Sequence, residues 1–415
     1  MDIISLTNQL AEIVGPEHVT AAPSVAPGSR EELAHVLAVA HAAHMPVQPY
    51  GGGTQQRWGG PLGDDQALTL YTTRLKRVLD YTPDDLTISV EAGMTVAELQ
   101  STLAVNGQML PLDMPLAERA TVGGMLATAM DSPRRLGYGT ARDLLIGIGV
   151  VEATGRASKA GGMVVKNVSG FDMMKLYIGS MGSLAVIVSA NFKLYPRPRV
   201  AASLRCTFPS QAAAFALAHS IAASPLTPVA VEYIESAMLT QNAPSLVVAA
   251  EGLPAAVERH IRDVGAMAER AGALTIASVH DELHHQLWGE IGLLAQTAQI
   301  ADDTLVARLS CLPADLERAI DQACSRGTDR QVSLEISARA LSGVAYLRLS
   351  GPDASLRAWH SAMLANWPNL AILAAPPTLA DLSVWGRSIA NIELMRRIKQ
   401  EFDPENLLNP GRFIV

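Results

Sequence analysis

Apolar residues recur along this chain in two rhythms, and the change between them marks its organisation. Ser29, Arg30, Glu31 and Glu32 precede an apolar face of Leu33, Val36, Leu37 and Ala40. That is the spacing of an amphipathic helix with Ser29 as its N-cap. Val47–Tyr50 reads as a short strand running into Gly51–Gly52–Gly53, and Thr87–Glu91 alternates as a strand should before Gly93. Thr95 and Glu98 have capping-box spacing for a helix through Leu103. Ile146–Ala153 and Leu184–Tyr195 read as further strands. The run Tyr195–Pro196–Arg197–Pro198–Arg199 predicts a boundary, because two prolines exclude regular structure.

Beyond it glycine thins, and strands alternate with alanine-rich helices. Strands are expected over 202–208, 229–235, 245–250, 305–312, 332–338, 344–349 and 371–374. Helices are expected over 210–223 and 254–271, with a last one at about 389–402 before Asp403–Pro404 and the tail Asn409–Pro410–Gly411–Arg412. The expected class is α+β. No internal repeat is evident.

Composition narrows the function classes. With 49% hydrophobic and 17% charged residues among 415, the chain is not disordered and is long enough for more than one core. A net charge of −8 without a basic block argues against nucleic acid. Mean hydropathy is +0.19, so a membrane span has to be considered. The longest uncharged stretch, Cys206–Val231, is broken by Pro209, Pro225 and Pro228 and reads as a buried helix with proline stops. The first fifteen residues carry Asp2 and Glu12 and no basic residue, unlike a signal or transit peptide. Cys206, Cys311 and Cys324 are too few for a four-cysteine cluster and too scattered for a disulfide framework. A reducing cytoplasm is the expected compartment.

Candidate chemistry concentrates in glycine. Tyr50–Gly51–Gly52–Gly53–Thr54–Gln55 follows a strand, where glycines permit a phosphate-binding nest or simply a surface turn. Three more clusters follow at 120–128, 134–143 and 179–187. Four such segments exceed what turns need and suggest backbone wrapped round one extended, phosphorylated ligand. No GxxxxGK[ST] and no GxGxxG opening a helix is present. His280, His284 and His285 have helical spacing that could serve a metal, but Asp281 and Glu282 beside them look like an exposed helix start, and no HExxH exists. They, with His41 and His44, are read as ordinary helix residues, and no metal is expected. Trp288, Trp359, Trp367 and Trp385 are expected in cores, whereas Trp58 stands beside the first glycine loop. No serine-hydrolase elbow occurs.

The ordered set PYGGGTQ, EAGMTVAEL, ATVGGMLAT, RLGYGTARDLLIGIGVV, KNVSGFDMMKLYIGSMGSLAVI and FDPENLLNPGRF resembles the FAD-linked oxidase family of the vanillyl-alcohol oxidase type. Within it, the pattern is most similar to the smaller FAD-binding subunits of bacterial glycolate oxidases. The resemblance covers about 1–200 and the last thirty residues. It implies a two-part FAD-binding domain over 1–199, an α+β cap over 200–384, and a segment over 385–415 that returns to the flavin. It implies that Tyr50, Gly51, Gly52, Gly53, Thr54 and Gln55 form the pyrophosphate loop. Thr121, Gly123 and Gly124, then Tyr138, Gly139 and Arg142, would supply further phosphate-side segments. Gly182, Val186 and Ile187 would lie beside adenine and ribose, and Asn409 would approach the ring.

Some members of the family link FAD to a histidine in the first loop. Thr54 and Gln55 stand there, so the FAD is expected to be non-covalent. Met181 replaces a glutamate common in the family, and no HxGDGN-like metal motif occurs in 201–380. The implied function is an FAD subunit of a glycolate oxidase-like complex that oxidises a small 2-hydroxy acid, glycolate to glyoxylate. Its electrons would leave through a second FAD subunit and an iron–sulfur subunit, since this chain has no relay of its own. The expected location is cytoplasmic, peripheral to the inner membrane only through those partners. Two alternatives stay open: a self-sufficient oxidase or dehydrogenase of another hydroxy acid or alcohol, and a non-catalytic FAD-holding assembly subunit. No catalytic residue is assigned. Arg134, Arg135, Lys166 and Arg412 are candidates for a carboxylate or for FAD phosphate.

Overall fold

The computed structural model describes residues 3–20, 23–62, 67–164, 171–328, 331–386 and 389–415. Its contacts divide the chain into two compact units, one of 1–130, 140–197 and 389–415, the other of 131–139 and 198–388.

The first unit holds two main sheets. A four-stranded one runs in the order Val19–Thr20, Ser24–Val25, Leu68–Tyr71, Val47–Tyr50, and its last two strands are parallel. Helices Ile3–Val14 and Arg30–Ala42 belong to the same core, where Leu6, Leu10, Leu33, Val36 and Leu37 meet Leu68 and Leu70. Ser29 caps the second helix by accepting from the Glu32 N–H. The other sheet is antiparallel, in the order Val78–Thr82, Thr87–Glu91, Val186–Lys193, Leu145–Val151, Ala157–Gly161. Thr87–Glu91 lies inside this sheet, and all five of its residues are buried rather than every second one. Its polar positions are matched: Ser89 donates to Asn191, and Glu91 holds Arg77 at 2.7 Å. The expected capping box of Thr95 and Glu98 is present. Tyr195–Pro196 is not structureless. It makes a two-residue antiparallel pair with Gln108–Met109, an edge position that tolerates proline.

The second unit is an eight-stranded antiparallel sheet in the order Thr275–His280, Val200–Thr207, Ser245–Gly252, Ala230–Glu235, Ser333–Arg339, Val344–Ser350, Thr304–Ser310, Ala371–Ala374. It contains a repeat that the sequence does not display. Residues 200–280 and 304–374 each run strand, helix, strand, strand, helix, strand, and each half orders its strands fourth, first, third, second. The two second strands pair with each other, and Glu232 stands opposite Arg339. The main core buries Phe215 from helix Gln211–Ala222 and Trp359 from helix Asp353–Asn366 with Tyr233, Leu246, Leu305 and Leu347 from the strands. Trp288 and Trp367 are also buried, and Trp385 is half-buried. His284 is a core residue whose Nδ1 lies 2.9 Å from the Ser203 hydroxyl, which also accepts from the Trp288 indole.

Charge is buried where the two halves join. Arg339 contacts Glu232 at 2.8 Å and stacks over the Tyr346 ring at 4.7 Å. Tyr346 donates to Asp131 at 2.5 Å, Asp131 also pairs with Arg135 at 2.8 Å, and Ser337 donates to Glu232. Burial works to raise the Asp131 carboxyl. The Arg339 and Arg308 charges and the Tyr346 hydroxyl outweigh it and hold the group below the usual carboxylate range. Glu232 keeps one oxygen without a partner, and burial pushes its carboxyl up even beside Arg339.

Candidate functional site

The glycine segments at 50–55, 121–128 and 181–187 converge on one cleft of the first unit. Each wall has a local cause. Strand Val47–Tyr50 delivers the first loop, and Thr72 N–H donates to the Tyr50 carbonyl at its exit. A side chain at Gly52 would collide with the Arg119 backbone carbonyl, and Gly53 has φ +71°. The second wall is helix Val122–Thr128. Thr121 caps it by accepting from Gly124 N–H at 3.2 Å, and Gly123 N–H donates to the Ala92 carbonyl at 2.7 Å. The third wall passes Met181 and Gly182, both with positive φ, into strand Val186–Lys193.

The tail closes the arrangement. Leu408 bridges Val47 in parallel, and Asn409 N–H donates to the Val47 carbonyl. Asn409 Nδ2 donates to the Met181 carbonyl at 2.6 Å. Arg412, only 9% exposed, donates through Nη1 to the carbonyls of Gln56 at 2.8 Å and Gly60 at 3.2 Å. Burial lowers its affinity for the proton, although an arginine stays charged at any physiological pH.

Of the residues singled out in the sequence, Tyr50, Gly51, Gly52, Gly53, Thr54, Gln55, Thr121, Gly123, Gly124, Gly182, Val186, Ile187 and Asn409 all line the cleft. Tyr138, Gly139 and Arg142 are not among its described lining residues. Tyr138 and Gly139 fall in the second unit, where the Tyr138 hydroxyl donates to Glu251 at 2.7 Å. Arg142 stays in the first unit and accepts a hydrogen bond from Lys175 on its carbonyl. Arg134 pairs with Glu251 at 3.4 Å and Arg135 with Asp131, while Lys166 lies outside the described residues. Among the described residues no group of three or more His, Cys, Asp and Glu could hold a metal.

Sequence reading set Trp58 apart without assigning it, and it lines the cleft at 3% exposure. Gly59 and Gly60 after it are the signal: side chains there would collide with the carbonyls of Arg412 and Gly411, so loop and tail touch backbone to backbone. Two buried polar atoms on lining residues have no protein partner, Asn409 Oδ1 and Trp58 Nε1. One is an acceptor and the other a donor, and a buried polar group left unpaired is costly. Together with the glycine walls, they fit a large ligand that carries both acceptors and N–H or O–H donors, as FAD does.

Comparison with known proteins agrees with that chemistry. Residues 21–171 match the FAD binding domain, and residues 385–413 match the C-terminal domain of FAD linked oxidases. The chain carries the FAD binding domain and the C-terminal domain of FAD linked oxidases. The cofactor is therefore FAD; the matched stretches contribute the first two walls and the tail wall of the cleft, and the third, Met181–Ile187, lies beyond the first match. The chain is 22% identical to glycolate oxidase subunit GlcD of Bacillus subtilis, over 94% of its own length and 88% of that protein. It is 27% identical to D-lactate dehydrogenase of Archaeoglobus fulgidus, over 94% and 90%. A shorter match, 38% identity over 129 residues, joins 31% of it to 37% of glycolate oxidase subunit GlcE of Escherichia coli. The fold matches crystalline p-cresol methylhydroxylase with substrate bound, with a TM-score of 0.73 at 14% identity, over 99% of this chain and 96% of that one. Among the described residues no helix is long and apolar enough to cross a membrane.

Proposed function

We propose that this protein oxidises a small 2-hydroxy acid, glycolate first among them, as one subunit of a complex that takes its electrons onward. The observation that carries the reading is the near full-length likeness to GlcD and to D-lactate dehydrogenase. Bound FAD supplies two-electron chemistry by accepting a hydride. The chain's own residues hold and orient it. The loop from Tyr50 to Gln55 and Thr121 with Gly123 and Gly124 take the pyrophosphate side, and Gly182, Val186 and Ile187 take the adenosine side. Asn409 and Trp58 offer an acceptor and a donor to the remainder. Tyr138, Gly139 and Arg142 belong to this reading only as far as they shape the loop ends. In functional terms 1–199 and 385–415 serve the cofactor, and 200–384 caps it.

Thr54 and Gln55 stand where a linking histidine would sit, so the flavin is dissociable. Acid precipitation should release all of the yellow colour into the supernatant, and colour in the pellet would refute this. Electrons pass to a second FAD subunit and an iron–sulfur subunit in the cytoplasm, at the inner membrane only through them. Purification from the native host should recover both partners.

The likeness to GlcE and the lack of an HxGDGN-like motif in 201–380 favour a second reading, in which this subunit holds FAD while a sister chain oxidises the substrate. Anaerobic mixing of the isolated chain with glycolate and with D-lactate separates the two. Bleaching of the flavin absorbance supports oxidation here, and an unchanged spectrum with both acids supports the second reading.

A further inference from the structure

A single buried ammonium joins two walls of the cleft. Lys399, in helix Ile392–Phe402, is only 6% exposed. Its three protons meet three acceptors: the Ser183 carbonyl at 2.8 Å, the Leu408 carbonyl at 3.2 Å and Asp403 Oδ2 at 2.6 Å. Ser183 follows Gly182, and Leu408 precedes Asn409, so each carbonyl is one residue from a lining position. Asp403 is 1% exposed and accepts the N–H groups of Leu407 at 3.0 Å and Leu408 at 2.8 Å. The carboxylate therefore fixes the backbone that the ammonium also grips. Asn409 itself has φ +47°, an uncommon conformation for a non-glycine residue, which neighbouring contacts must hold.

We infer that Lys399 and Asp403 are positioning residues for FAD: they clamp the tail to the segment beside Gly182 so that Asn409 is pre-set in the cleft. The clamp touches no cofactor. It acts through Asn409, whose Nδ2 is engaged with Met181 and whose Oδ1 has no partner in the protein. This inference rests on the reading of the cleft as the FAD site. It assigns a role in cofactor retention to a lysine and an aspartate that, from sequence, look like ordinary charges of an amphipathic helix and its end.

The test is a double-mutant cycle on the FAD dissociation constant, read by flavin fluorescence with the full-length chain. Asn409→Ala is one arm, and the pair Lys399→Met with Asp403→Asn is the other. The Leu407 and Leu408 N–H groups bond to separate oxygens of Asp403, and the asparagine oxygen can still accept one of them, so the pair removes both charges without stranding one. Each arm should weaken FAD binding by up to about tenfold, the scale of one net hydrogen bond. The combination should weaken it little more than the stronger arm alone. Independent effects that multiply would overturn the clamp, because a merely structural lysine has no reason to act through Asn409. Asn409→Ala with wild-type affinity would overturn the cleft reading instead. If the paired variant does not fold, Lys399→Arg, which keeps the charge and changes the donor geometry, carries the same cycle with the same outcomes.

Discussion

The cleft of the first unit and the strand junction of the second both bury polarity, by opposite means. The cleft is shaped by backbone: Gly52, Gly59 and Gly60 sit where a methyl group would strike another carbonyl, and its polar side chains leave Asn409 Oδ1 and Trp58 Nε1 unpartnered. The junction is shaped by charged side chains that answer one another, with Asp131 and Glu232 around Arg339, and Tyr346 and Arg135 completing the set. The junction also leaves atoms unpartnered, Glu232 Oε2 and Arg339 Nε, but on charged side chains that already hold each other, whereas those of the cleft sit on residues that line open space. That contrast distinguishes the two more sharply than burial or the number of ionisable groups, by which the junction would be the stronger candidate.

The contrast can be broken at several points. The largest effect is expected at the junction. Asp131→Asn leaves Arg339 and Arg135 short of a buried partner, a change of the kind that costs about 3–5 kcal/mol. Denaturant midpoints should fall accordingly, while FAD affinity of the folded protein stays unchanged. The pH dependence has a definite sign. The Asp131 carboxyl lies lower in the folded chain than unfolded, so its stabilisation is complete above its ordinary value and is lost as pH falls through the lower folded one. The gap between wild type and variant should therefore close in acid below about pH 4. An equal gap at every pH would mean that the aspartate acts by shape alone.

Gly52→Ala comes next. The backbone must move to admit the methyl group, and overpacking of this kind costs about 1–3 kcal/mol, so FAD occupancy should fall tenfold or more. Flavin absorbance per chain measures it, and full occupancy would reduce this loop to a surface turn. Gly53→Val is a less selective probe, because its positive φ strains any side chain whether or not FAD binds.

The smallest effect is the most selective. Gly124 is helical, and a methyl group there would meet only the Thr121 hydroxyl at 3.2 Å. Gly124→Ala gains helix propensity of up to about 1 kcal/mol. The apo chain should melt no lower than wild type and yet bind FAD several-fold more weakly. A variant unchanged in FAD affinity would move the cofactor away from this wall.

What the sequence disclosed follows the same division. Positions that demand glycine announce themselves, because no other residue fits a positive φ or a backbone collision, and so the walls at Gly51–Gly53, Gly123 and Gly182 were legible. Lys399 was not. Two of its partners are main-chain carbonyls, which leave no trace in residue identity, and one of them, Ser183, lies 216 positions away. The 134–143 cluster misled in part, since Gly137 makes room for Val229 in the second unit rather than for a ligand. The doubled half of that unit was hidden for another reason. Strand order is set by pairing across the sheet, and the two halves reach the same order with different residues. Thr87–Glu91 alternates apolar and polar residues in sequence, yet its serine and glutamate are both buried and satisfied inside the sheet.

The tail that places Leu408 beside Val47 has a consequence for how the protein is made. In the order of synthesis, 191 residues, 198–388, separate the glycine-rich walls from the segment that closes them. At a ribosomal rate of roughly 5–20 residues per second, that interval lasts about 10–40 s. During it Val47, already paired with Leu68 on one side, lacks its bridge to Leu408 on the other, and Asn409 and Arg412 do not yet exist. The cleft is thus complete only after the second unit has been translated, and a polypeptide stalled before residue 389 would emerge without its tail wall.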